Sequence, residues 1–192
     1  MKDLCPEIFF DYPELHKAVD EEDFPKVIEI ILKGGDPNEL NDINQTPLML
    51  TDTFFIAKFL IEHGADVNLL DKYGRSALTY ASDPWMTKLL IDEGADIDVV
   101  VDGNSSILEY TYDNLINGAY KILLLMQAGA KNHLKYHQEI QETYEEALKD
   151  SDLIGQFNKI WTSKNKKYRK FHKEVITPVS NGINSINHCK PA

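Results

Sequence analysis

His133 and His137 stand four residues apart, a spacing that sets two imidazoles on one helical face. Such a pair could begin a zinc site, which needs further ligands to complete a tetrahedron. Leu134, Lys135 and Tyr136 lie between them, so the His-Glu-x-x-His arrangement of metalloproteases is absent. The pair reads as two helix-surface histidines, and no metal or other cofactor is expected. Carboxylates are plentiful, in Asp20-Glu21-Glu22-Asp23, in Asp92-Glu93, and in Asp150 with Asp152. Hydrolysis of the glycosidase type needs two carboxylates facing each other across a pocket. Runs of neighbouring acids read instead as turns and helix ends. Cys5 and Cys189 lie near opposite ends of the chain; they have no base partner in an ordered segment, and CxxC spacing is absent. Phosphate-cradling glycine loops and the G-x-S-x-G elbow are also missing. The chain is expected not to be an enzyme.

The elements that could position side chains for another purpose repeat. Residues 46–68, TPLMLTDTFFIAKFLIEHGADVN, align without a gap on residues 76–98, SALTYASDPWMTKLLIDEGADID, at a period of 30. Thr46 and Ser76 can cap a helix start through a side-chain oxygen, and Pro47 costs nothing in a first turn. A second helix follows, with the apolar pairs Leu60-Ile61 and Leu90-Ile91 set among charges. Gly64 and Gly94 fall where that helix must stop in a left-handed backbone. An extended stretch and a polar turn such as Asp71-Lys72-Tyr73-Gly74 lead to the next unit. One helix pair cannot bury its own apolar face, so neighbours must stack and the core runs along the array.

The boxes Thr46-Pro47-Leu48-Met49, Ser76-Ala77-Leu78-Thr79-Tyr80-Ala81 and Leu15-His16-Lys17-Ala18, with the segments Leu60–Asn68 and Leu90–Asp98, resemble the TPLHxA and LLxxGADxN signatures of ankyrin repeats. Weaker copies are Ile30–Asn38 and Leu124–Ala130. The resemblance implies an all-α repeat solenoid with short hairpin-like turns and C-terminal capping helices. It divides the chain into an N-terminal cap, 1–12, and an array, 13–133, cut near 13–43, 44–73, 74–103 and 104–133. A helical cap with a basic run over 134–173 and a flexible tail over 174–192 complete it. It also implies that His16 hydrogen-bonds to neighbouring backbone. His63 suits the negative end of a helix.

The departures from the family are specific. Its repeats run to about 33 residues, and the missing three fall at Thr51-Asp52-Thr53 and Ser82-Asp83-Pro84. The first helix, or its connection, must be short in both repeats. Repeat four is longer, around Asp113–Gly118, and Lys131 stands where the pattern has Asp.

The chain has 192 residues, 43% hydrophobic and 27% charged, with a net charge of −11. No apolar run is long enough to span a membrane and the first residues do not read as a signal peptide; the expectation is a cytoplasmic protein, monomeric when free. Charge is uneven. Residues 1–132 hold 10 basic and 24 acidic side chains, and residues 133–192 hold 10 and 7. The excess of positive charge lies in Lys164–Lys173, which could clamp onto the array, hold the cap, contact phosphates or be solvated. Phe9, Phe10 and Tyr12 are expected to cover the open edge of the first repeat.

In ankyrin repeats partners commonly lie against the concave face, made of turns and exposed first-helix positions. The matching residues are Ile43, Asn44, Lys72, Tyr73, Arg75, Asp102 and Asn104 on turns, and Met49, Leu50, Tyr80, Glu109 and Tyr110 near the inner helices. Asp52, Asp83 and Trp85 join them at the shortened connections. Tyr73 and Tyr80 are the leading anchors, since contact hot spots are enriched in tyrosine; for Tyr80 and Trp85 core packing competes with this role. Asn38 and Asn68 fit the pattern that asparaginyl hydroxylases modify in this family. The expected function is protein–protein interaction through an acidic concave surface that takes a basic partner, as an inhibitor or immunity protein of a toxin. Alternatives are an effector capturing a host factor, binding of nucleic acid or anionic lipid through Lys164–Lys173, and an enzyme with its site between cap and array.

Overall fold

A computed structural model describes residues 12–114, 119–131, 138–140, 142, 145, 159, 162–164 and 166–176. The first histidine pair, both cysteines, Phe9, Phe10, Asp113–Gly118 as a segment, and most of the expected cap lie outside these residues. Four helix pairs follow one another. They are α1 (Glu14–Asp20) with α2 (Phe24–Leu32), α3 (Pro47–Leu50) with α4 (Phe54–Glu62), α5 (Ala77–Tyr80) with α6 (Pro84–Asp92), and α7 (Ile107–Asn114) with α8 (Ala119–Ala128). The first helices touch in the series α1-α3-α5-α7, while α4, α6 and α8 stack as a second layer. The core lies between the layers. Leu48, Leu78 and Leu108, 30 residues apart, are buried from the first layer, and Phe59-Leu60 and Leu89-Leu90 from the second.

The three-residue deletion takes its toll on the first helices. α3 and α5 have four residues each, against seven in α1 and eight in α7. Such short helices rest on packing and capping rather than propensity. Ser76 and Thr79 cap α5 reciprocally, the Ser76 N–H donating to Thr79 Oγ1 at 3.3 Å. In α7 the Ser106 N–H donates to Glu109 Oε2 at 2.9 Å, and the Glu109 N–H to Ser106 Oγ at 3.3 Å. Thr46 departs from the expectation. Its third helical position is the apolar Met49, its side chain caps nothing, and its hydroxyl is buried without a partner among the described residues. Asp23 and Asp83 cap α2 and α6, accepting from the Lys26 and Trp85 N–H groups.

Gly64 and Gly94 end α4 and α6 at φ +95° and +86°, where a side chain would strain the backbone. Beyond them, adjacent repeats are laced by one recurring side chain. Asn38 Nδ2 donates to the Gly64 carbonyl at 2.9 Å, and its Oδ1 accepts from the Asp66 N–H at 2.7 Å. Asn68 does the same with Gly94 and Asp96. Asp98 is the third rung and accepts from the Lys131 N–H, while Lys131 Nζ pairs with it at 3.1 Å. The unusual lysine is thus matched by the unusual aspartate. Asp36, Asp66 and Asp96 each bond the N–H two residues on, an architectural role. His16 Nε2 donates to the Gln45 carbonyl at 2.8 Å, and His63 Nδ1 to the Phe59 carbonyl at the end of α4.

Residues 166–171, continued by a π-turn at His172–Ile176, lie along the second helices of the first three pairs. Lys164 sits at Asp83 and over Trp85, Tyr168 between Phe54 and Phe55, and Phe171 on Phe24. This strap runs back toward the start of the chain, with Tyr168 fully buried.

Candidate functional site

The turns before the first helices form a face of their own. Turn 41–45 is pinned by Asn41, whose Oδ1 accepts from the Ile43 and Gln45 N–H groups. Asp71 holds the next turn in the same way, accepting from the Tyr73 and Arg75 N–H groups at 2.8 and 2.9 Å. The third turn is a true hairpin, in which β1 (Val100–Val101) pairs antiparallel with β2 (Ser105–Ser106). Asp102 and Gly103 make its tip at φ +51° and +71°, the left-handed pair that suits right-twisted strands. Backbone bonds join tip to tip: the Lys72 N–H donates to the Ile43 carbonyl, and the Asp102 N–H to the Tyr73 carbonyl, each at 3.1 Å.

On this ladder stands a polar-aromatic cluster. Asp71 is buried, and its Oδ2 accepts from the Tyr80 hydroxyl at 2.6 Å and from Arg75 Nε at 3.1 Å. Gln45 Nε2 donates to the Tyr80 oxygen at 2.9 Å, tying in the preceding turn. The Arg75 guanidinium lies 4.4 Å from the Tyr73 ring centre and 5.0 Å from that of Tyr80, and it hydrogen-bonds Tyr110 of the following repeat. Burial pushes the Asp71 carboxyl up, but the Tyr80 hydroxyl, the two backbone N–H groups and the Arg75 charge outweigh it and hold Asp71 below the usual carboxylate range. Burial and the Asp71 bond push the Tyr80 phenol up to about 12. Five side chains from three repeats, Gln45, Asp71, Arg75, Tyr80 and Tyr110, are therefore held together. Tyr73 remains 45% exposed above them, with Lys72 Nζ 5.2 Å from its ring centre. The two cations beside the ring favour one placement of it through their attraction to its face.

The sequence-derived candidates divide on this geometry. Lys72, Tyr73, Arg75, Tyr80 and Tyr110 come together, with exposed Asn44, Asp102 and Asn104 at the tips and half-buried Ile43 and Leu50 beside them. Two do not belong. Met49 is 5% exposed and is part of the core, because it takes the position of His16 one repeat on, facing the next helix. Glu109, also 5% exposed, is spent on capping α7. Asp52, Asp83 and Trp85 lie at the opposite ends of the first helices from the turns. Asp52 accepts from the Ser82 hydroxyl at 2.7 Å. Asp83 is raised by burial, against the Trp85 N–H and Lys164. Asn38 and Asn68 are present at the surface of the rungs described above. Sequence reasoning missed Asp71, Gln45 and Asn41. The signal was there: Asn41 and Asp71 are 30 residues apart, each four before a long polar side chain.

The acidity is not gathered on the turn tips, where Asp42 and Asp102 alternate with Lys72. Glu29, Glu62, Asp92 and Glu93 belong instead to the second helices and their ends. Tyr168 donates to Glu62 at 2.6 Å, with His172 Nε2 3.6 Å away. A cleft of about 550 Å³ between strap and array is lined by Lys58, Leu89, Asp92, Glu93, Thr162, Lys166 and Arg169. Its carboxylates are held in ion pairs, Lys58 with Glu93 at 2.6 Å and Lys88 with Asp92. Among the described residues no cluster of histidine, cysteine or carboxylate suits a metal ion, and no helix is long and apolar enough to cross a membrane. Compared with known families, residues 15–101 match the model of ankyrin repeats in three copies. No curated protein matches the chain.

Proposed function

Residues 15–101 are ankyrin repeats, a protein-interaction architecture, and on that premise we propose that this chain is a non-catalytic docking protein whose partner seats on the turn face over Tyr73. The observation that carries this is the exposure of Tyr73 on a base immobilised by Asp71, Arg75, Tyr80 and Tyr110. Large aromatic area at low entropic cost is what interface anchors supply. Lys72 and Arg75 flank the ring, and Asp102 and Asn104 lie at the next tip, so the partner meets a mixed polar rim around one aromatic. The inhibitor or immunity role is the form of this reading in which the partner is a toxin; a wholly acidic docking face is not part of it, given Lys72 and Arg75. A photo-crosslinking amino acid at position 73 should trap a partner in the native cell, whereas one at Lys33, exposed on the second-helix layer, should not. Equal trapping from both positions, or from position 33 alone, would refute the assignment.

A further inference from the structure

The strap shows what a second surface of the molecule accepts. Along the second helices of the first three pairs runs an aromatic groove, with Phe24, Phe54 and Phe55 as its floor, Trp85 at one end, and the carboxylates of Glu62 and Asp83 on its walls. Its occupant is a helix of complementary chemistry. Lys164, Tyr168 and Phe171 follow at i, i+4 and i+7, the helix-in-groove spacing. Tyr168 stacks on Phe55 at 5.8 Å and its hydroxyl donates a hydrogen bond to Glu62; Phe171 stacks on Phe24 at 5.4 Å; Lys164 Nζ lies 4.9 Å from the Trp85 ring centre and 4.0 Å from Asp83.

Three features set this contact apart from a core helix. The strap is solvated away from its aromatic anchors, with Lys167, Lys170 and Lys173 exposed and Lys166 and Arg169 exposed at the cleft. Its seat on α4 and α6 is incomplete, leaving the cleft beside Thr162, Lys166 and Arg169. Its two outer anchors are half-exposed, Lys164 by 34% and His172 by 38%. We propose that this groove is a second binding site, for a partner helix presenting a basic residue, Tyr and Phe at i, i+4 and i+7, and that residues 164–176 are its displaceable internal occupant. An external helix must compete with a tethered one, whose effective concentration is on the order of millimolar. Binding is therefore gated by whatever lifts the strap. The site shares no residue with the turn face.

The test uses the full chain and a fluorescent peptide of residues 162–176, which stands in for the partner helix. Tyr168→Ala with Phe171→Ala in the chain empties the groove. That variant should bind the peptide at least tenfold tighter than the wild-type chain does, and a peptide carrying the same two alanines should lose the binding. If the double variant fails to fold, Lys164→Glu loosens the strap without touching the groove and should still raise peptide affinity severalfold. Equal affinity for wild-type and strap-loosened chains that melt cooperatively would overturn the proposal. So would a concentration-dependent wild-type dimer broken by Tyr168→Ala, since the strap would then be an arm exchanged between copies. Partner capture at Tyr73 is unaffected by these substitutions, so failure here leaves the turn-face reading standing.

Discussion

Asp71 carries more of the turn face than its neighbours do. Its homologue in the preceding repeat is Asn41, which holds its turn with one oxygen. Asp71→Asn should therefore keep the turn while weakening the bonds to Tyr80 and Arg75, costing about 1–2 kcal/mol in denaturant melts. Asp71→Ala should cost about 3 kcal/mol, since it also orphans backbone N–H groups. Because the folded Asp71 lies below its unfolded value, its contribution is present above the unfolded value and fades as pH falls through the folded one. Lys121 is the other decisive residue. It is 2% exposed, and its Nζ donates to the Thr79 and Ala81 carbonyls at 3.0 and 2.9 Å. Burial pulls it down to about 7, against the distant attraction of Asp52. Between that value and the unfolded one the folded chain binds fewer protons, so stability must rise with pH from about 7 toward 10, at up to about 1.4 kcal/mol per pH unit. Lys121→Met should flatten that rise when melts at pH 7 and 9.5 are compared. The sequence displays Lys121 only as one charge at the head of the apolar run Ile122–Met126. Its role depends on carbonyls about 40 residues away, and no local pattern encodes that distance.

At the scale of elements, the four-residue helices explain why those carbonyls need a donor. Deleting three residues from a repeat ends α5 at Tyr80 and leaves its last carbonyls facing the interior. Lys121 reaches them from α8, at the position that Met86 and Ile56 fill in the earlier repeats, both fully buried. The shortening itself was legible, because the 30-residue period fixed where the gap fell. The strap was legible as a basic run with interleaved aromatics, and clamping onto the array was one of the readings open to it, but the residues it would meet were not legible. Tyr168 and Glu62 are 106 residues apart, and an amphipathic helix announces its apolar face without saying what covers it. Tyr168→Phe removes the hydroxyl donated to Glu62 and should destabilise the strap by about 1–2 kcal/mol. Hydrogen exchange over 166–176 should then quicken while α4 and α6 stay protected; uniform quickening would mean the strap is part of the global core.

For the whole molecule, the two sides of the charge split touch at only a few points. Lys164 and His172 of the strap meet Asp83 and Glu62 of the acidic array along the second-helix layer, the other strap cations face solvent, and the turn layer carries mixed charge. A repeat array is stabilised between neighbours, so the side-chain rungs of Asn38, Asn68 and Asp98 set the spacing on which the turn tips depend. The fold was readable because both signatures recur in register. The candidate turn-face residues were readable only as positions, since one register step in the repeat separates half-buried Tyr80 from the positions of buried Met49 and Glu109. Docking of a partner on the turn face through Tyr73 can be measured by capture. The tagged wild-type chain and its Tyr73→Ala variant are used to capture proteins from the native cell, with circular dichroism confirming that both are folded. At least one partner should be held by the wild type and lost, by tenfold or more, with Tyr73→Ala; a folded variant that keeps every partner at undiminished affinity would rule out docking through Tyr73.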